Sequence, residues 1–225
     1  RVIVPYIFNG KVVGLYGRDS NPNGDKKYAH LRLEAEVKVP NGLSNILNEK
    51  DFFLVEGEFS KIAVAALGYP NVMETRGVNG FKEEHAQMIG KVAKNGKKCQ
   101  RCYILFDPDS SGADSVEKIG RRLLDAGVEV LAIKLPIVEF NNEILHVDPN
   151  DLLKVYKNKA KDKFESLKNK AMSYDAFVLL HKIEKDAPST LTEARKVFAK
   201  IADLFDNIPP FERILAIIVA IEMDS

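Results

Sequence analysis

Between residues 50 and 135 four short apolar runs, at 52–55, 71–74, 103–106 and 128–135, alternate with stretches of helical periodicity. This alternation constrains the fold more than any other feature of the chain. The helices between the runs are read at 61–67, closed by Gly68, at 83–93, and at 115–126, ended by Gly127. A helix between two strands carries the chain back to its starting edge, so the strands pair in parallel and helices cover the faces of the sheet.

The flanks read differently. Residues 1–48 are β-rich, with strands expected at 2–8, 11–16 and 31–39. Asn9-Gly10 makes a hairpin turn between the first two, and a loop rich in Asn, Pro, Gly and Asp lies over 19–27. Past Pro149 nothing reads as strand, and helices are expected at 152–170, 174–185, 191–206 and 210–223, separated by breakers such as Ala187-Pro188-Ser189. A chain of 225 residues exceeds the usual domain of roughly 100 to 150. The expected division is a β-rich amino-terminal subdomain at 1–48, an α/β parallel-sheet core at 49–152, and a carboxyl-terminal helical bundle at 153–225.

Composition excludes several classes. With 45% apolar and 29% charged residues the chain reads as globular rather than disordered or fibrous. Its apolar runs, such as 214–221, fall far short of the roughly 20 residues that cross a bilayer, so no membrane partner is expected. The chain opens on Arg1-Val2 and reads as an internal piece of something longer. Cys99 and Cys102 are the only cysteines; their Cys-x-x-Cys spacing lacks the second pair or histidines that close a zinc site, and they read as ordinary thiols in a reducing, cytoplasmic setting. Net charge is only +1, yet Lys91, Lys94, Lys97, Lys98 and Arg101 cluster without acids. A second run of lysines spans 154–170. Either cluster can face phosphates or simply form a solvated face.

The chemistry-bearing residues sit where a parallel sheet collects them, at the carboxyl ends of strands. Glu56-Gly57 follows the run at 52–55, Asp107-Pro108-Asp109 follows that at 103–106, and Asp148 opens Asp148-Pro149-Asn150-Asp151. In extended backbone, positions i and i+2 project to one side, so Asp107 and Asp109 can face a single ion. Clustered carboxylates repel one another unless a cation binds, and oxygen-only donors suit Mg²⁺ or Mn²⁺, the ions of phosphoryl chemistry. Taken alone, Asp107 to Gly112 also reads as a turn of helix-capping residues.

The segments Phe53-Leu54-Val55-Glu56-Gly57-Glu58-Phe59 and Ile104-Leu105-Phe106-Asp107-Pro108-Asp109-Ser110-Ser111-Gly112 resemble the Toprim domain of DnaG-type primases, topoisomerases and some nucleases. The flanks, from Arg1-Val2-Ile3-Val4-Pro5 through Gly17-Arg18 to Lys27-Tyr28, are most similar to the primases. The resemblance implies Glu56 as general base or metal-proximal acid, Asp107 and Asp109 as main metal ligands, and Asp148 as a further one. It also implies Arg18 and Lys27 near nucleotide or template phosphates, with Lys26 able to substitute for Lys27. Three features depart from the family: Asn150 stands where a second Asp is usual, Ser60 where an Asp is usual, and Lys38 and Asn41 near the place of a downstream lysine. They suggest a divergent member, of the kind mobile elements carry.

The activity so implied is synthesis of short RNA primers on single-stranded DNA from nucleoside triphosphates, with Mg²⁺ or Mn²⁺ as cofactor and a replicative helicase as a partner through other segments. Two alternatives stand beside it: a Toprim nuclease or topoisomerase that cleaves DNA, and a non-catalytic nucleic-acid-binding scaffold.

Overall fold

A computed structural model describes residues 2–21, 28–32, 40–76, 79–96, 98–107 and 110–186. The amino-terminal strands β1 (Val2–Phe8), β2 (Lys11–Arg18) and β3 (Tyr28–Arg32) form an antiparallel sheet in the order β1-β2-β3. Asn9 and Gly10 both take positive φ, 49° and 76°, the conformation a two-residue hairpin turn needs to match the strand twist. Residues 33–39, the rest of the third strand expected from sequence, lie outside the described residues.

A short helix α1 (Leu43–Ile46) leads into the alternating region: β4 (Asp51–Val55), α2 (Glu58–Ala66), β5 (Val72–Glu74), α3 (Glu83–Asn95), β6 (Arg101–Leu105), α4 (Ser110–Asp125) and β7 (Glu129–Ala132). As the alternation predicts, β5, β4, β6 and β7 are neighbours in one parallel sheet. Period-2 alternation sorts its side chains. Phe52, Leu54, Cys102, Ile104, Val130 and Ala132 face one core, built with residues of α3 and α4. Phe53, Val55, Tyr103 and Leu105 face another, built with Val64, Leu152 and Phe164. Covered on both faces, the strands read as continuous apolar runs.

Three features correct the sequence reading. A hairpin, β8 (Ile137–Phe140) and β9 (Glu143–His146), lies between the last parallel strand and Asp148. Its turn residues Asn141 and Asn142 both have positive φ. The helix expected over 152–170 is two helices, α5 (Pro149–Tyr156) and α6 (Ala160–Asn169), separated by a 3-10 turn at which Lys157 has φ 49°. A two-residue strand, β10 (Met172–Ser173), also lies past Pro149 and pairs antiparallel with β7 at the sheet edge before α7 (Tyr174–Asp186) begins. The helices expected at 191–206 and 210–223 lie outside the described residues. Cys99 and Cys102 are buried, free thiols, the former pushed up to about 11 in pKa by desolvation.

Candidate active site

Register fixes where the strands end. Val55 pairs with Leu105 on one side and with Glu74 on the other, so β4, β6 and β5 reach one edge together. Just beyond these ends, Glu56, Asp107 after the buried Phe106, and the Thr75-Arg76 pair therefore emerge at that edge. A cleft of about 320 Å³ opens there, lined by Tyr16, Arg18, Glu56, Gly57, Glu58, Phe59, Ser60, Arg76, Asp107, Asp148 and Asn150. The acids read from three separate segments thus converge on one rim. Lys27 and Asp109 lie outside the described residues.

Local structure explains each position. Gly57 caps α2 in extended conformation, and a Cβ there would meet nothing within 4 Å, so the rim beside Glu56 is open. Gly112, in the first turn of α4, packs so tightly that a Cβ would lie 2.1 Å from the Asp107 carbonyl oxygen; only glycine lets the helix seat the Asp107 backbone. Asp148 is the N-cap of α5: its Oδ1 accepts from the Asp151 N–H at 2.7 Å, with Pro149 starting the helix. Its carboxylate therefore serves a helix terminus as well as facing the cleft. Asn150 and Ser60, the two departures from the expected acidic pattern, line the same cleft.

The amino-terminal sheet supplies one wall. Tyr6 and Tyr16 are buried against Phe59 of α2, and Arg18 lies over the Phe59 ring at 5.0 Å. The Tyr6 hydroxyl donates to Glu58, and burial together with that acceptor pushes the phenol well above its usual range. Beneath the wall Glu74 is fully buried, and desolvation, then the neighbouring Glu58 carboxylate, push it up to about 8 against the lowering influence of Arg76 and Lys61. Burial in turn lowers Lys61. Sequence reasoning missed Glu58, Glu74 and Arg76. Arg76 was within its reach, since it follows a predicted strand by the rule that selected Glu56; the carboxylate pair exists only through tertiary contact.

Oxygen donors alone line the acidic part of the rim, which fits a hard divalent cation. Among the described residues no three His, Cys, Asp or Glu side chains gather closely enough to hold an ion without help.

Comparison with known proteins agrees with this geometry. Residues 53–153 match the Toprim-like family model Toprim_2. The chain is similar to the DNA primase of Aquifex aeolicus, 26% identical over 190 residues that make up 77% of this chain and 37% of that protein. It is likewise similar to the DNA primase of Staphylococcus aureus strain COL, 26% identical over 219 residues, 89% of this chain and 35% of that one. The chain thus spans about a third of the length of these relatives. In fold it resembles the RNA polymerase domain of Mycobacterium tuberculosis primase DnaG, crystallised with double-stranded DNA, at a TM-score of 0.68 and 17% identity over 95% of this chain and 67% of that one. Motif order, cleft and relatives coincide: residues 53–153 match the Toprim-like family, and the chain is similar over most of its length to DNA primases.

Proposed function

We propose that this chain is the nucleotidyl-transfer core of a DnaG-type primase, joining nucleoside triphosphates into short RNA primers on a single-stranded DNA template. The observation that carries the reading is the convergence of Glu56, Asp107 and Asp148, from three separate segments, on one cleft that also holds Arg18 of the amino-terminal sheet. Carboxylates at this density attract cations, and guanidiniums beside them attract phosphate, which together suit transfer of a nucleotide.

Glu56, Asp107, Asp109 and Asp148 would hold Mg²⁺ or Mn²⁺. Such an ion, when bound, lowers the charge on a triphosphate and helps activate an attacking hydroxyl. The chain's own residues do the rest. Arg18, held over Phe59, presents its charge to phosphate, as Lys27 does in this reading. Glu56, at the open end of β4, is placed to accept a proton or steady the cation. The template and a replicative helicase are further partners, the helicase through segments outside this stretch.

Primer synthesis on single-stranded DNA with Mg²⁺ or Mn²⁺, comparing the parent protein with Asp109→Ala and Asp107→Asn, tests the reading. Loss of synthesis by roughly a hundredfold or more is expected, as for removal of a main charge-stabilising group. Unchanged synthesis in both variants refutes the metal assignment. Cutting of labelled DNA with metal and no nucleotides would replace the primase reading with a nuclease one.

A further inference from the structure

Between the amino-terminal sheet and α2 the aromatic rings form a ladder: Tyr6 stacks on Tyr16 with centroids 6.5 Å apart, and Tyr16 meets Phe59 edge-on at 6.4 Å. Each end of the ladder carries a guanidinium. Arg18 lies over Phe59 at 5.0 Å and Arg76 over Tyr6 at 4.0 Å, and both line the cleft that holds Glu56, Asp107 and Asp148. Arg18 is the basic residue that the resemblance to the primases implies near phosphate; Arg76 has so far no role.

We propose that Arg76 is a phosphate-binding residue of the cleft, positioned by Glu74 and Tyr6. Three observations carry this. First, register brings the end of β5 level with the ends of β4 and β6, so Arg76 emerges on the same edge as Glu56 and Asp107. Second, the guanidinium is already oriented: its Nε approaches Glu74 Oε1 at 3.4 Å and its flat face covers Tyr6, while 28% of the side chain remains exposed. A planar fork fixed at its Nε and face offers its terminal nitrogens in a set direction, the arrangement that suits bidentate contact with phosphate oxygens. Third, Glu74 is fully buried and lies beside the Glu58 carboxylate as well as Arg76. Burial favours its neutral form, so the guanidinium keeps charge for an anion. Glu74 thus acts on phosphate only through Arg76, as a positioning residue.

The anion is the triphosphate of an incoming nucleotide or the backbone of a nucleic acid; only this choice rests on the primase reading. The wild-type protein decides whether the site exists. Arginines are modified with phenylglyoxal and mapped by mass spectrometry, with ATP and Mg²⁺, adenosine, or a single-stranded oligonucleotide present, and with the exposed Arg121 as reference. ATP is expected to slow modification of Arg76 at least severalfold and adenosine to leave it unchanged. In parallel, Arg76→Gln is expected to weaken ATP binding roughly tenfold or more, and Arg76→Lys, which keeps the charge but not the fork, by less. Protection by the oligonucleotide alone, with a salt dependence of binding shallower by about one unit in Arg76→Gln, assigns the site to backbone phosphate.

If neither ligand protects Arg76, the assignment is overturned, whether or not Arg76→Gln folds; so is it if a folded Arg76→Gln binds both ligands as the parent does. A protein that makes primers while Arg76 stays unprotected refutes this inference alone. One that protects Arg76 yet makes no primers refutes the function and leaves the site standing.

Discussion

Gly112→Ala is the substitution whose consequence is most fully fixed by geometry. The new Cβ would lie 2.1 Å from the Asp107 carbonyl oxygen, 3.1 Å from its carbonyl carbon and 3.2 Å from its nitrogen. All three atoms are backbone, so no side chain can swing aside; either α4 or the Asp107 segment must move by roughly an ångström. Alanine is the better helix former by about 1 kcal/mol, whereas overpacking a tight site costs about 1–3 kcal/mol. The net loss of stability is therefore small, on the order of 1 kcal/mol, and for a chain of this size lowers the melting temperature by about 2–4 °C. The chemistry suffers more. A displacement of about an ångström in a group that must meet reacting atoms can reduce rate by roughly a hundredfold. Primer synthesis and thermal melting of the same preparation should thus part company, with synthesis down by one to two orders of magnitude and the fold nearly intact. Synthesis within twofold of the parent would show that the close packing of α4 on Asp107 does not position a catalytic carboxylate.

Asp148 separates its two roles by substitution: Asp148→Asn keeps a cap for the Asp151 N–H and should melt as the parent does while losing synthesis, whereas Asp148→Ala should also lose about 1 kcal/mol of stability by thermal or urea unfolding. Glu74 has a folded pKa raised to about 8, so the native state binds more protons than the unfolded one above about pH 4.5 and stability falls as pH rises through 5 to 8, by on the order of 3 kcal/mol. Urea unfolding should show this slope flattened in Glu74→Gln, and an unchanged slope would remove Glu74 as its source. Gly57→Ala places its Cβ in open space in an extended conformation any residue adopts, so melting should not fall. A drop of about tenfold in synthesis with normal melting would mean that substrate, rather than protein, needs the room.

What could be read from the sequence follows from how local each signal is. The first hairpin was legible because Asn9-Gly10 carries its own turn geometry, and the parallel sheet because strands buried on both faces, such as Asp51–Val55, are continuous apolar runs. Convergence of Glu56 and Asp107 was legible from topology, since parallel strands joined by helices end at one edge; Asp148 reaches the same cleft from the start of α5, past a hairpin, and the resemblance implied it. The β8–β9 hairpin was missed because its four-residue strands are largely exposed, with Ile144 77% accessible, and lack a clean alternation; Asn141-Asn142 was the one cue. The break between α5 and α6 has no Gly or Pro to announce it, only Lys157 with a positive φ of 49°.

The least legible element, the buried Glu58 and Glu74 pair, also explains why the β-rich piece and the parallel sheet act together. Glu58 opens α2 two residues past Glu56, and a carboxylate there, if buried without a donor, would cost on the order of 1–3 kcal/mol. Its donor is Tyr6, from a strand 52 residues earlier, and the Tyr6 ring in turn carries Arg76 of the β5 edge. The same sheet brings Arg18 onto Phe59, one residue after Glu58. The aromatic contacts of the basic side of the cleft, Arg18 on Phe59 and Arg76 on Tyr6, thus cross from the amino-terminal sheet to the parallel-sheet core, while the acids Glu56 and Asp107 belong to the core alone. A parallel sheet deprived of β1 and β2 would keep those carboxylates but lose Arg18, strip Arg76 of its aromatic support and leave Glu58 without its phenol. On the proposed reading, cation binding then survives where phosphate binding fails.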